Sequence, residues 1–105
     1  MPLEIDVTDT NGKHLIEVRG EVDLYTSPEL RAATVKKVPR GTEVIGVDLS
    51  EVAYMDSSGV ATLVEAMKSA AKGAATFVLV SPSEAVAKVL QLTRLDSVFD
   101  IRDSL

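Results

Sequence analysis

The chain has no cysteine and no tryptophan, one histidine, and only two Phe and two Tyr in 105 residues. Without cysteine there is neither a disulfide framework nor thiol chemistry. Metal sites built on His and Cys clusters fail by count, and an all-carboxylate Mg²⁺ site has no recognisable spacing here. A Ser-His-Asp hydrolase needs a His to take the serine proton. The single His14 stands in a hairpin strand beside a turn and reads as a surface residue. No G-x-S-x-G, G-x-x-x-x-G-K-S/T or G-x-G-x-x-G occurs, so the nucleophile elbow and the phosphate-cradling loops are absent. No apolar run nears the roughly 20 residues of a membrane span. The opening MPLEIDVTD lacks the basic start and apolar centre of a signal peptide, so a cytoplasmic location is expected.

Excess positive charge is missing too. The formal net charge is −5, which argues against nucleic acid, whose binding depends on Lys and Arg neutralising phosphates. Lys36, Lys37 and Arg40 are the nearest thing to a basic patch, and cations beside a helix end complement its dipole. What is present, 46% hydrophobic and 26% charged residues, is an ordinary globular composition. One domain spanning 1–105 is expected, with roughly 60–70% of the unfolded surface buried.

Leu3, Ile5 and Val7 alternate with polar residues, the period-two mark of a half-buried strand. Asn11-Gly12 is a hairpin signal, and residues 13–20 return as an antiparallel partner. TSPELRAATVKKV opens with a hydroxyl cap at Thr26 or Ser27, Pro28 in the first turn and Glu29 closing a capping box; PRG at 39–41 stops that helix. EVIGVDL and ATFVLV are nearly continuous apolar runs, as in strands covered on both faces. Between them Val60, Leu63, Val64, Met67 and Ala71 form a core-facing helical stripe, ended by Gly73. In SPSEAVAKVLQLTRL, Ser81 reads as the cap and Glu84 as its box partner, with Val86, Val89 and Leu90 inward. SVFDI is a last edge strand or a docked tail. The order β-β-α-β-α-β-α, with or without a final β, predicts an α/β fold with a mixed four- to five-stranded sheet and three to four helices.

The functional question lies at Asp56-Ser57-Ser58-Gly59, between a buried strand and a buried helix. Read from residues alone, it is a helix N-cap or a hydroxyl displayed for a partner's chemistry. Asp48, at a strand end, could accept a phosphoryl group only with Mg²⁺ held by further acids, and the first strand's exit supplies no acidic pair. Glu21 and Asp23 read as solvated acids of an exit loop. Intrinsic catalysis, and with it a cofactor, is not expected.

GEVDLYTSPELRAA at 20–33 and VDLSEVAYMDSSGVATLV at 47–64, with the LQLTRLDSVFDI close, resemble the STAS domains of anti-sigma factor antagonists over essentially the whole chain. The resemblance implies a STAS-like fold and phosphorylation of Ser57 by a partner serine kinase that is also the anti-sigma factor. It further implies a phosphatase that reverses the mark. Ser58 assists or caps, and Asp23 lies close to the acceptor. Asp56 and Gly59 support the site, with free N–H groups at the helix start favouring an added phosphate and Gly59 leaving room for a kinase to approach. Unphosphorylated protein would bind the anti-sigma factor and release a sigma factor. One departure stands out: the family's Gly-Leu-Gly is here Gly59-Val60-Ala61. The alternative function is an unphosphorylated accessory subunit of a membrane transporter, with an ATPase or permease as partner.

Overall fold

The computed structural model describes residues 3–105. Two alternating segments, β1 (Glu4–Thr10) and β2 (Lys13–Val22), pair antiparallel from Thr10↔Lys13 to Glu4↔Arg19. Asn11 and Gly12 join them with positive φ at both positions (51° and 78°), which suits Asn-Gly because neither residue is strained there. Three further strands run parallel to β2: β3 (Val44–Met55), β4 (Thr76–Val80) and β5 (Asp100–Arg102), in spatial order β1-β2-β3-β4-β5. The sheet is mixed and five-stranded, as the sequence predicts, and SVFDI does end in an edge strand. Just before it Phe99 is buried, its ring 6.3 Å from that of Phe77.

Three α-helices connect the parallel strands: α1 (Ser27–Arg31), α2 (Ser57–Lys72) and α3 (Glu84–Leu92). Their apolar faces join Ile16, Val18, Ile45, Val47, Phe77 and Leu79 of the sheet in one core. On the opposite face of the sheet, the Leu105 side chain lies against Gly46, 2.7 Å from where a Cβ would stand. A two-layer domain results, with the carboxyl ends of β2 and β3 pointing towards one rim.

Several local expectations need correction. The first helix is not a single α-helix, because α1 passes into a π-helical segment, Ala32–Lys36. Its wider turn is closed by Lys37 N–H on the Ala32 carbonyl at 2.9 Å. Thr26 precedes α1 but its hydroxyl caps nothing; it donates to the Glu21 carbonyl instead. Ser83, not Ser81, caps α3, accepting from Val86 N–H at 3.3 Å. Ser81 is held at φ 45°, with its hydroxyl on the Asp103 carbonyl. Ala71 is exposed, whereas Ala66 and Ala70 are buried, so the α2 stripe is centred one position away from the expected line. His14 is not a surface residue: it is 1% exposed.

β3 differs most from its expected length. The pairing with β2 slips twice, between Glu17 and Arg19 and between Gly20 and Glu21, each time with one extra residue on β3. Such bulges bend a strand and redirect its side chains. The first is fixed by Asp48, whose carboxylate accepts from Ser50 N–H and Ser50 hydroxyl. In consequence Val47, Leu49, Val52 and Met55 all face the core despite spacings of two and three. The strand therefore runs well beyond the apolar EVIGVDL and brings Met55 beside Val22.

Candidate functional site

At that rim the end of β3 is tied to the end of β2 by Asp56 N–H donating to the Val22 carbonyl at 3.1 Å. Asp56 then leaves the sheet in an extended conformation and becomes the N-cap of α2. Its Oδ1 accepts from Ser58 N–H at 2.9 Å, Gly59 N–H at 3.4 Å and the Ser58 hydroxyl at 2.5 Å. The Ser58 hydroxyl, foremost, and these backbone donors hold the Asp56 carboxyl below its ordinary value of 3.8, because a hydrogen-bonded carboxylate favours its charged form.

Ser57 is the first helical residue of α2 and is exposed. Among the described residues its hydroxyl makes no hydrogen bond within the chain. The cap reading of the junction holds for Asp56, which Ser58 braces, while the Ser57 hydroxyl takes no part in it. The expectation of open N–H groups awaiting a phosphate needs correction. The donors of Ser58 and Gly59 are already taken by Asp56, so an anion on Ser57 would face an ionised carboxylate at the helix start.

Gly59 also has a different role from the one expected. It is buried, and a Cβ there would stand 2.6 Å from Met55 Cγ and 2.8 Å from Val22 Cγ1. Its missing side chain lets α2 approach the ends of β2 and β3, and leaves no open space above the site. Ala61, at the position of the family's second glycine, is exposed, so its methyl group meets solvent.

Asp23 follows Val22 directly and so lies at the neighbouring strand end. Its Oδ1 accepts from Tyr25 N–H at 2.9 Å and Thr26 N–H at 3.0 Å, and its carbonyl accepts from Ser27 N–H at 2.8 Å. The acid thus shapes the loop that starts α1. Among the described residues, no hydrogen bond or ion pair joins its side chain to Ser57 or Asp56. The sheet brings Asp23, Asp56, Ser57 and Ser58 to one rim while each acid makes its own local contacts.

Three residues of this rim are not evident from sequence reasoning: Leu24 (69% exposed), Tyr25 (87%) and Tyr54 (49%). Tyr54 pairs with Glu21 on β2, and Leu24 and Tyr25 form the loop after Asp23. In a chain with four aromatic residues, both Phe are buried and both Tyr are exposed, one in the loop after β2 and one near the end of β3. An exposed Tyr next to each motif was the signal available in the sequence.

The rim presents the exposed Ser57 hydroxyl on the strand and loop ends that also carry Asp23, Asp56 and the exposed Leu24, Tyr25 and Tyr54. Among the described residues no side chain hydrogen-bonds the Ser57 hydroxyl, and no cluster of three or more His, Cys, Asp or Glu is placed to hold a metal. No helix among those residues is long and apolar enough to cross a membrane.

The family model for the STAS domain matches residues 4–105. An anti-sigma-B factor antagonist of Listeria monocytogenes is 33% identical over 105 residues, covering 98% of this chain and 91% of the relative. The crystal structure of an anti-sigma factor antagonist from Mycobacterium paratuberculosis superposes with a TM-score of 0.81 at 28% identity, covering 98% of this chain and 87% of that one. The Bacillus cell fate determinant SpoIIAA in its phosphorylated form shares the fold, with a TM-score of 0.72 at 24% identity over 93% of this chain and 90% of that one.

Proposed function

Because the chain belongs to the STAS domain family, we propose that it is an anti-sigma factor antagonist whose binding is switched by phosphorylation of Ser57. The unmodified protein binds an anti-sigma factor that is also a serine kinase, and so releases a sigma factor. The kinase then transfers phosphate to the Ser57 hydroxyl and the complex dissociates, until a phosphatase restores the serine. The observation that carries this reading is the exposed, unbonded Ser57 hydroxyl on a helix start capped by Asp56. The similarity to anti-sigma-B factor antagonists supports it.

Electrostatics supplies the switch. A phosphate adds about −1.5 to −2 charges at pH 7, beside an Asp56 already held ionised by its hydrogen bonds. The dipole of α2 attracts an anion by only about 0.3–1 kcal/mol at an exposed site, and Asp56 has already claimed that end. While the rim faces water these opposing effects are small, and the fold stays intact. Under a partner, the dianion loses its water and meets the neighbouring carboxylates at short range. Like charges juxtaposed in an interface cost several kcal/mol, and each 1.4 kcal/mol is about tenfold in affinity. Phosphorylation therefore weakens binding by well over tenfold without any refolding.

The test uses the protein, ATP and the anti-sigma kinase of its own organism. Mass spectrometry should locate one phosphate on Ser57, and calorimetry should show the modified protein binding more weakly. Ser57→Ala should bind the kinase normally and never be released by ATP. Equal affinities with and without phosphate, or phosphate on another residue, would refute the switch. A transporter accessory subunit would be indifferent to both ATP and Ser57→Ala.

A further inference from the structure

We infer that His14 and Asp9 hold one shared proton in the folded protein, and that this proton fastens the β1–β2 hairpin to the π-helical segment after α1. The ring of His14 is buried, with Nδ1 2.5 Å from Asp9 Oδ1 and Nε2 3.1 Å from the Ala33 carbonyl oxygen. A carbonyl has no hydrogen to give, so Nε2 carries one and donates it. An ionised carboxylate has none either, so Nδ1 must carry a second. The alternative is a carboxylic acid donating to a neutral ring. Both arrangements contain one proton more than a neutral imidazole beside a carboxylate.

Removal of that proton turns two lone pairs towards each other at 2.5 Å, one of them on a buried ring nitrogen. A buried acceptor without a donor is unfavourable, and here it also faces negative charge. The surroundings favour retention. Ala33 lies in the last turn of the continuous helix that α1 and the π-helical segment make together, where terminal carbonyls lack an intrahelical partner and a cation complements the dipole.

The other charged groups on the packed elements are Glu4 and Asp6 on β1, Lys13, Glu17, Arg19 and Glu21 on β2, Asp48 and Glu51 on β3, Glu29 and Arg31 on α1, and Lys36 in the π-helical segment. Lys37 and Glu43 adjoin these elements. Arg19 is engaged by Asp6 and Glu4, and Arg31 by Glu65. Among the described residues none of these bonds to the ring; only Asp9 does.

The fastened segment continues from the Asp23–Thr26 loop at the end of β2, the strand whose Val22 carbonyl holds Asp56 N–H. Raising the pH should therefore loosen the hairpin and α1 together, from the side of the sheet farthest from Ser57.

The experiment is an imidazole ¹H–¹⁵N correlation on the ¹⁵N-labelled full chain, titrated across about pH 5 to 9 around the usual histidine range. At the acidic end both ring nitrogens should carry protons. As the proton leaves, the amides of Asp9, His14 and Ala33 should shift together and exchange faster with solvent. Asp9→Asn supplies the second arm. Asp9 is half-exposed, so this variant should fold. Its amide can donate to a neutral ring, so this ring should give up its second proton at lower pH than the parent's does. One neutral tautomer across the whole titration, or identical midpoints in the two proteins, would overturn the inference.

Discussion

Gly59→Ala is the most informative single substitution, because two effects of opposite sign meet at it. Alanine is favoured over glycine inside a helix by about 1 kcal/mol, so propensity alone predicts stabilisation. Packing predicts the reverse. The new methyl would stand 2.6 Å from Met55 Cγ and 2.8 Å from Val22 Cγ1, far inside the 3.5–4.0 Å of ordinary carbon contacts. Met55 is flexible but is held here near its base, and Val22 is β-branched, stiff at χ1 and fully buried. Neither can retreat without moving a strand end or α2. Overpacking of this kind costs about 1–3 kcal/mol, and with two such contacts the upper half of that range applies. The propensity gain is reduced because Gly59 lies in the first turn. The expected net loss is about 1–2 kcal/mol, or a fall in Tm of roughly 5–10 °C for a domain of this size. Urea unfolding monitored by circular dichroism measures it. Gly73→Ala is the matched control: φ is −89°, and a Cβ there meets only the Ala70 and Ser69 carbonyl oxygens, at 3.7 and 3.9 Å. That change should be neutral or stabilising by up to about 1 kcal/mol. If Gly59→Ala proved as stable as the parent, the close approach of α2 to the strand ends would be wrong, and with it the account of how Ser57 is positioned.

Asp56→Ala should lose about 1 kcal/mol of stability through the missing cap, whereas Asp56→Asn, which keeps an acceptor oxygen, should lose much less. The folded Asp56 carboxyl lies below its ordinary value of 3.8. Its contribution is therefore complete above that value and disappears as pH falls through the lower folded one. Unfolding curves for parent and Asp56→Asn should accordingly converge on acidification below about pH 4. Arg31 forks onto Glu65 with Nε and Nη2 at 2.7–2.8 Å, joining α1 to α2. The pair is solvent-exposed, so Arg31→Ala should destabilise less than Gly59→Ala. A double-mutant cycle with Glu65→Gln should give a small coupling that shrinks with added salt.

The layout of the domain is legible in the sequence because it rests on local rules. Alternation in β1 and β2, Asn-Gly at the turn, unbroken apolar runs for β3 and β4 and the 3.6-residue stripe of α2 each follow from one segment's own need to bury a face. Asp56 as a cap and Ser57 beside it are legible for the same reason: capping preference depends on residue type and on position at a helix start. The Ser81–Ser83 confusion shows the limit of that rule. Both hydroxyls precede the helix, and the choice was made when Ser83 N–H found the Leu49 carbonyl and its hydroxyl the Val52 carbonyl, on a strand more than thirty residues away.

What only the tertiary structure decided are the features in which distant segments meet. The two bulges of β3 exist because it must match β2 in register while bringing Met55 to Val22; no spacing within β3 announces them. Gly59 looks like an opening for a partner until Val22 and Met55 are seen to fill the space in front of it. His14 looks like a surface residue until Asp9 and the Ala33 carbonyl are found on its two nitrogens. Burial and partnership belong to pairs of residues, and a linear chain records only their separate members. The sequence alone therefore determined the order of strands and helices and that Ser57 stands at the start of α2. Packing between those elements determined which groups are free, which are held, and which carry a proton.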